Sequence, residues 1–178
     1  MMLMKRIAIL LPLTFLLLYG CSKEVYLDGK YNMEYDAKSG YVLPDSPFNA
    51  FCLNSFDKDG DGRLAKEEIA GIRKIDCSGQ NLSSVHGIGI FPALDTLILD
   101  NNNISFLNLS ELKGIHYLSC KGNLIEELDL RDMSLGTLLC NPMNDPKGNN
   151  VLQYIYLRRG QELETLDAPD ETYIIELP

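Results

Sequence analysis

The chain has no tryptophan, only two histidines, and 16 basic side chains against 25 acidic ones. His86 and His116 leave little material for acid–base or zinc chemistry. A formal charge of −9 excludes nucleic acid as a partner, because phosphate recognition needs a basic face. Five cysteines are an odd number, which excludes a framework in which every thiol is paired. No apolar run reaches the ~20 residues that a helix needs to cross a bilayer. There is no Gly-rich phosphate loop and no nucleophile elbow, so the expectation is a protein that is not an enzyme. What is present is a chain of 178 residues, 46% hydrophobic, long enough for one domain with a real core.

The first twenty residues read as a secretory signal. Lys5 and Arg6 form a basic start, and Ile7 to Leu18 form an apolar run. The run ends Leu18-Tyr19-Gly20-Cys21, which resembles the lipobox of bacterial lipoproteins, with Tyr19 where a small residue is usual. That resemblance implies cleavage before Cys21, acylation of Cys21, and a membrane attachment supplied by the acyl chains. Ser22 agrees, by the same resemblance, with outer-membrane sorting and a place in the cell envelope, facing either the periplasm or the outside. Residues 21–44 show little periodicity and read as a tether.

Residues 57–68 run DKDGDGRLAKEE and match the EF-hand loop at positions 1, 3, 5, 6 and 12. Calcium is a hard cation that takes six to eight oxygens. Asp57, Asp59 and Asp61 offer carboxylates, Arg63 its carbonyl, and Glu68 two oxygens, while Gly62 permits the sharp turn. Ala65 carries no oxygen at the ninth position, where water would have to serve. Asp45, Ser46 and Pro47 make a helix start, with Phe48, Phe51, Cys52, Leu53 and Phe56 at helical spacing behind them. A short outgoing helix is expected over 66–73. Residues 45–73 therefore form a helical unit around one unpaired loop, and structural calcium, bound at about 10⁻⁴ M, is the expected cofactor.

From Ile72 the chain repeats. The frame L-x-x-L-x-L/C-x-x-N-x-L fits Leu94, Leu97, Leu99, Asn102 and Ile104, then Ile115, Leu118, Cys120, Asn123 and Ile125. Its sixth position advances through Cys77, Leu99, Cys120, Cys140 and Leu157, in steps of 22, 21, 20 and 17. This is a leucine-rich-repeat pattern over 72–160. The expected fold is an α/β solenoid, a parallel-strand right-handed horseshoe of four to five short repeats. The helical unit caps its start, and 161–178 form a C-terminal cap. Asn102 and Asn123 can satisfy backbone groups where the chain leaves each strand. Pro142 and Met143 interrupt that pattern, and 145–150 read as a loop. Cys77, Cys120 and Cys140 fall on inward positions and read as buried thiols rather than metal ligands or nucleophiles.

The stretch from Leu43 to Phe51, the loop from Asp57 and the repeats with Cys in place of Leu resemble leucine-rich-repeat lipoproteins of Gram-negative gut bacteria. They are also similar to internalin-type surface proteins, whose arrays begin with a helical unit related to a truncated EF-hand. The resemblance covers about Leu43 to Leu163 and implies a capped solenoid that binds partners through its concave strand face. The face is expected to include Ile98, Tyr117, Leu139, Tyr154 and Tyr156, with Lys121 and Arg158 at its edge. Its partner would be a protein or a glycan. The other reading is a structural envelope protein that associates with itself, and the oligomeric state is left open.

Overall fold

A computed structural model describes residues 23–27, 32–36, 40–42, 46–110, 112, 114–141 and 151–178. The signal segment, Cys21, Asp45 and residues 142–150, with the loop expected at 145–150, lie outside the described residues.

The body is a parallel-strand solenoid of about four turns. Five strands form its first sheet: β4 (Lys74–Asp76), β5 (Thr96–Ile98), β6 (Tyr117–Ser119), β8 (Thr137–Leu139) and β10 (Thr165–Asp167). They stack in the order β10-β8-β6-β5-β4. A second parallel sheet holds β7 (Glu127–Asp129), β9 (Tyr154–Arg158) and β11 (Tyr173–Leu177), ordered β11-β9-β7. The β4, β5, β6 and β8 rungs of the first sheet bury their central residues, and Ile75, Leu97, Leu118 and Leu138 stand in register along it. Leu128 and Ile155 do the same in the second sheet, and both columns join one core cluster. No single rung could enclose so short an apolar face, so stacking is what buries it.

The framed asparagines hold the turns together. Asn102 Nδ2 donates to the Cys77 and Leu99 carbonyls at 3.0 and 2.8 Å, and its Oδ1 accepts from Leu82 N at 2.9 Å. Asn123 repeats this one rung later, donating to Leu99 and Cys120 at 2.9 Å each and accepting from Ile104 N at 3.1 Å. Their exposures are 5% and 0%. One residue earlier, Asn101 and Gly122 take left-handed φ values of 56° and 64°, as the turn out of the strand requires. Gly122 also lies against the preceding rung, where a Cβ would meet Asn101 Oδ1 at 2.7 Å.

The repeat register holds through Cys140 and then departs from expectation. Leu152, Ile155 and Leu157 spell the frame, yet their strand β9 pairs with β7 in the second sheet. The fifth rung of the first sheet is β10, framed by Leu163, Leu166 and Ala168. The physical reason is that Ile125-x-x-Leu128-x-Leu130, in the second half of a turn, has the same spacing as the frame itself. Alternation with period two marks a strand but not the sheet it joins. Residues 161–178 accordingly supply the last rung of both sheets rather than a separate cap.

Residues 21–44 also differ from a plain tether. Within them, β1 (Lys23–Leu27), β2 (Asn32–Asp36) and β3 (Gly40–Val42) form an antiparallel meander. Strands of three to five residues rich in Tyr and Val suit such pairing but are too short to show clear periodicity. β3 is tied to the body by Tyr41 N to Leu64 O at 2.9 Å and Leu64 N to Tyr41 O at 3.1 Å. Gly40, at φ 82°, packs directly on the Leu64 carbonyl, where no side chain fits.

Helix α1 (Pro47–Phe56) begins as expected, with Ser46 Oγ accepting from Asn49 N at 3.2 Å and Pro47 in the first turn. Phe48 and Cys52 are buried, and Phe56 meets Phe91 edge-on at 5.5 Å. Helix α2 (Lys66–Ile69) is a single turn, shorter than the expected 66–73, because the chain must open into β4 from Lys74.

Replacing Asn123 with Ala leaves the Cys120 carbonyl and the Ile104 N–H unpaired in the core, while the Leu99 carbonyl keeps its bond from Asn102, at about 1–3 kcal/mol for each bare group. Urea denaturation is expected to show a loss of at least about 2 kcal/mol, and a loss under about 1 kcal/mol would contradict the stitching role.

Candidate functional site: two strand faces and an acidic loop

The outward side chains of the first sheet form two columns. One holds Lys74, Thr96, Tyr117, Thr137 and Thr165, and the other Asp76, Ile98, Ser119, Leu139 and Asp167. Ile98, Tyr117 and Leu139 are half-buried there, so three of the expected contact residues do share a face. Asp100 orders its edge: its Oδ1 accepts from Ser119 Oγ at 2.6 Å and Lys121 N at 2.9 Å, and Lys121 Nζ lies 4.0 Å from Oδ2. His116 Nδ1 contacts Asp95 Oδ1 at 2.9 Å beside this face.

Tyr154, Tyr156 and Arg158 are not part of that face. They stand on β9, in the second sheet, for the register reason given above. There Tyr154 stacks on Tyr156 at 6.2 Å and on Tyr173 at 5.9 Å. Tyr173 falls within 161–178, expected as a C-terminal cap, so the repeat frame does not place it on this surface. Its signal is the alternation Tyr173-Ile-Ile175-Glu-Leu177. Among the acids beside this surface, Asp129 forms a double contact with Arg131, at 2.9 and 2.6 Å. Hydrogen bonding from the guanidinium holds the Asp129 carboxyl below its usual range despite some burial.

The acidic loop brings its expected residues together. One carboxylate oxygen from each of Asp57, Asp59 and Asp61 lies within 4.8 Å of the others. Asp57 accepts from Gly60 N at 2.7 Å and Gly62 N at 2.9 Å. Partial burial acts to raise the Asp57 carboxyl, but these N–H bonds outweigh it and hold the group below its ordinary value. Asp61 accepts from Arg63 N at 2.8 Å. Glu68 reaches back across the loop, its two oxygens accepting from Lys58 N at 2.6 Å and Ala65 N at 2.9 Å. The second bond caps α2, which Ala65 cannot do with its own side chain. Three hard carboxylates converging on one point, with a fourth closing the loop, suit a cation that takes oxygen ligands.

The four described cysteines are free and buried. Burial pushes the Cys77 and Cys140 thiols up to about 12, and raises Cys52 and Cys120 as well. Cys140 Sγ lies 3.3 Å from the Asp167 carbonyl of the next rung. A thiol held protonated is neither a nucleophile nor a ready metal ligand. Among the described residues, no helix is long and apolar enough to cross a membrane. No protein-family model matches the chain, and no curated protein sequence matches it.

In protein carrying Cys21→Ser, Ellman's reagent is expected to find no thiol at neutral pH in the folded state and four after denaturation. A rapidly reacting thiol in the folded protein would contradict their burial.

Proposed function

We propose that the chain is a lipid-anchored, calcium-stabilised leucine-rich-repeat binding module of the bacterial cell envelope, which holds a protein or glycan on the outward face of its first sheet. The observation that carries this reading is the half-buried strip of Ile98, Tyr117 and Leu139 on a rigid parallel sheet. Aromatic and aliphatic side chains rimmed by polar groups are what interface centres use. The leucine-rich-repeat assignment rests on the 20–22-residue spacing together with buried Asn102 and Asn123. The anchor rests on the sequence around Cys21, and the helical cap on α1 packing against the first turn through Phe56 and Phe91. Calcium would be held by Asp57, Asp59, Asp61 and Glu68 with the Arg63 carbonyl, cross-linking a loop that β3 also grips.

A second reading, self-association as an envelope structural protein, is favoured by the last rung, where Leu166, Tyr173 and Ile174 are exposed by 37%, 67% and 51%.

Two measurements test these roles. Calcium at a hundredfold excess over its Kd stabilises by about 2.7 kcal/mol, or about 5–10 °C in Tm. Asp57→Ala should abolish that rise, and calcium-independent melting would refute the loop's role. For the binding face, affinity capture from envelope extract should lose its partner with the Ile98→Ala, Tyr117→Ala, Leu139→Ala triple. Concentration-dependent dimerisation lost in Ile174→Glu, with unchanged capture, would favour the second reading instead.

A further inference from the structure

The second sheet ends in an open groove. Its β7 rung pairs with β9 on one side, and on the other side faces residues 105–110, which run where a further strand would lie. The two chains are joined by Leu124 N to Ile104 O at 2.9 Å. Beyond that bond no backbone hydrogen bond links 105–110 to β7. In a parallel ladder alternate residues turn their backbone groups to opposite sides. The N–H and C=O groups of Glu127 and Asp129 therefore point away from β9, toward the 105–110 side. The space there is about 580 Å³ and extends across β7 to Tyr156 and Leu177.

The lining is apolar in the middle and acidic around it. Phe106, on the 105–110 side, is 71% exposed, the most exposed large apolar residue described. Tyr156 continues the surface into the stacked pair it makes with Tyr154. Glu126, Glu127, Asp129 and Asp132 supply four carboxylates against the single guanidinium of Arg131, which Asp129 already engages. Asp132 also feels the Arg131 charge, which leaves Glu126 and Glu127 without a cation among the groove residues.

We propose that this groove docks an extended, Lys- or Arg-bearing polypeptide segment, at a surface distinct from the face of the first sheet. An extended segment laid along the groove meets the Glu127 and Asp129 backbone groups that no strand engages, and its side chains alternate toward and away from the groove. Guanidinium or ammonium groups on that segment meet the Glu126 and Glu127 carboxylates and stack on the rings of Tyr156 and Phe106. A second copy of this chain fits poorly, since it would bring further carboxylates to an acidic rim. An anionic glycan is disfavoured for the same reason.

The test uses the full chain and two labelled decapeptides, one alternating Arg with Thr and the other Gln with Thr, read by fluorescence anisotropy. The Arg peptide is expected to bind at least about tenfold tighter than the Gln peptide, weakening as salt rises from about 50 to 500 mM. Phe106→Ala, and separately the Glu127→Gln, Asp132→Asn pair, should each weaken it about tenfold with Tm unchanged, while Glu67→Gln on α2 leaves it unaltered. All three acids and Phe106 are exposed, so these variants test the groove rather than folding. Equal binding of both peptides, no binding of either below about 1 mM, binding untouched by the groove variants, or capture of a neutral oligosaccharide in place of the Arg peptide would each overturn the proposal.

Discussion

The architecture depends on a buried amide that serves three backbone groups at once. At the end of each strand the chain must turn sharply, and the turn strands carbonyls and N–H groups inside an apolar core. Asn123 closes that account for two successive turns: its Nδ2 reaches Leu99 and Cys120, and its Oδ1 reaches Ile104 N. Because Leu99 and Ile104 belong to the preceding unit, the bond that satisfies one turn also fixes its distance and rotation relative to the next. Net gain per hydrogen bond is small, about 1 kcal/mol, but leaving such groups bare costs more. The asparagine therefore acts less as an attractive contact than as a restriction on which stacking is permitted.

That restriction propagates to the neighbours. The residue before each ladder asparagine takes the left-handed conformation, which Asn101 and Gly122 tolerate. The sequence position that corresponds in the next unit is Pro142. The asparagine after it is replaced by Met143. The repeat length then jumps, from Cys140 to Ala168, before the first sheet gains its last rung. The sixth position behaves in the same connected way. Cys77, Cys120 and Cys140 are small enough to sit beneath the turn, and the Cys140 thiol points at a carbonyl of the next rung rather than at another sulfur.

These local rules explain what could be read from the chain and what could not. Ser46 before Pro47, the acid spacing from Asp57 to Glu68, and the Asn–Cys frame all encode structure through near neighbours, so each was legible. Sheet membership is not a near-neighbour property. Leu152-x-x-Ile155-x-Leu157 satisfies the frame, although Arg159 and Gly160 stand where Asn101 and Asn102 do, and the left-handed turn falls at Gly160, one residue late. The aromatic strip divided between two sheets for that reason, leaving Tyr117 on one and Tyr154 and Tyr156 on the other. The meander at β1–β3 was hidden for a different reason: three short strands carry too few alternations to stand out, and their link to the body is a backbone bridge to Leu64 that leaves no mark in side-chain pattern.

The two ends of the stack also face different physical problems. A parallel ladder presents bare N–H and C=O groups and a cross-section of its core at each end. At the β4 end, α1 lays Phe48 and Cys52 into the core and joins Phe56 to Phe91, while the 57–68 loop is gripped by β3. At the β10 and β11 end, the inward positions that are fully covered in earlier rungs, Leu138 and Ile155, become Leu166 and Ile174, with exposures of 37% and 51%. Glu176, aligned with Leu157, carries a charge onto what would be core. Glu162, Glu164, Asp167, Asp170 and Glu171 put five carboxylates into this last segment, against Arg158 and Arg159 just before it. Charge on an open edge raises the cost of adding an identical strand, since every copy brings the same sign. The apolar cross-section of this rung favours stacking of a further strand, and the carboxylates beside it oppose an identical one.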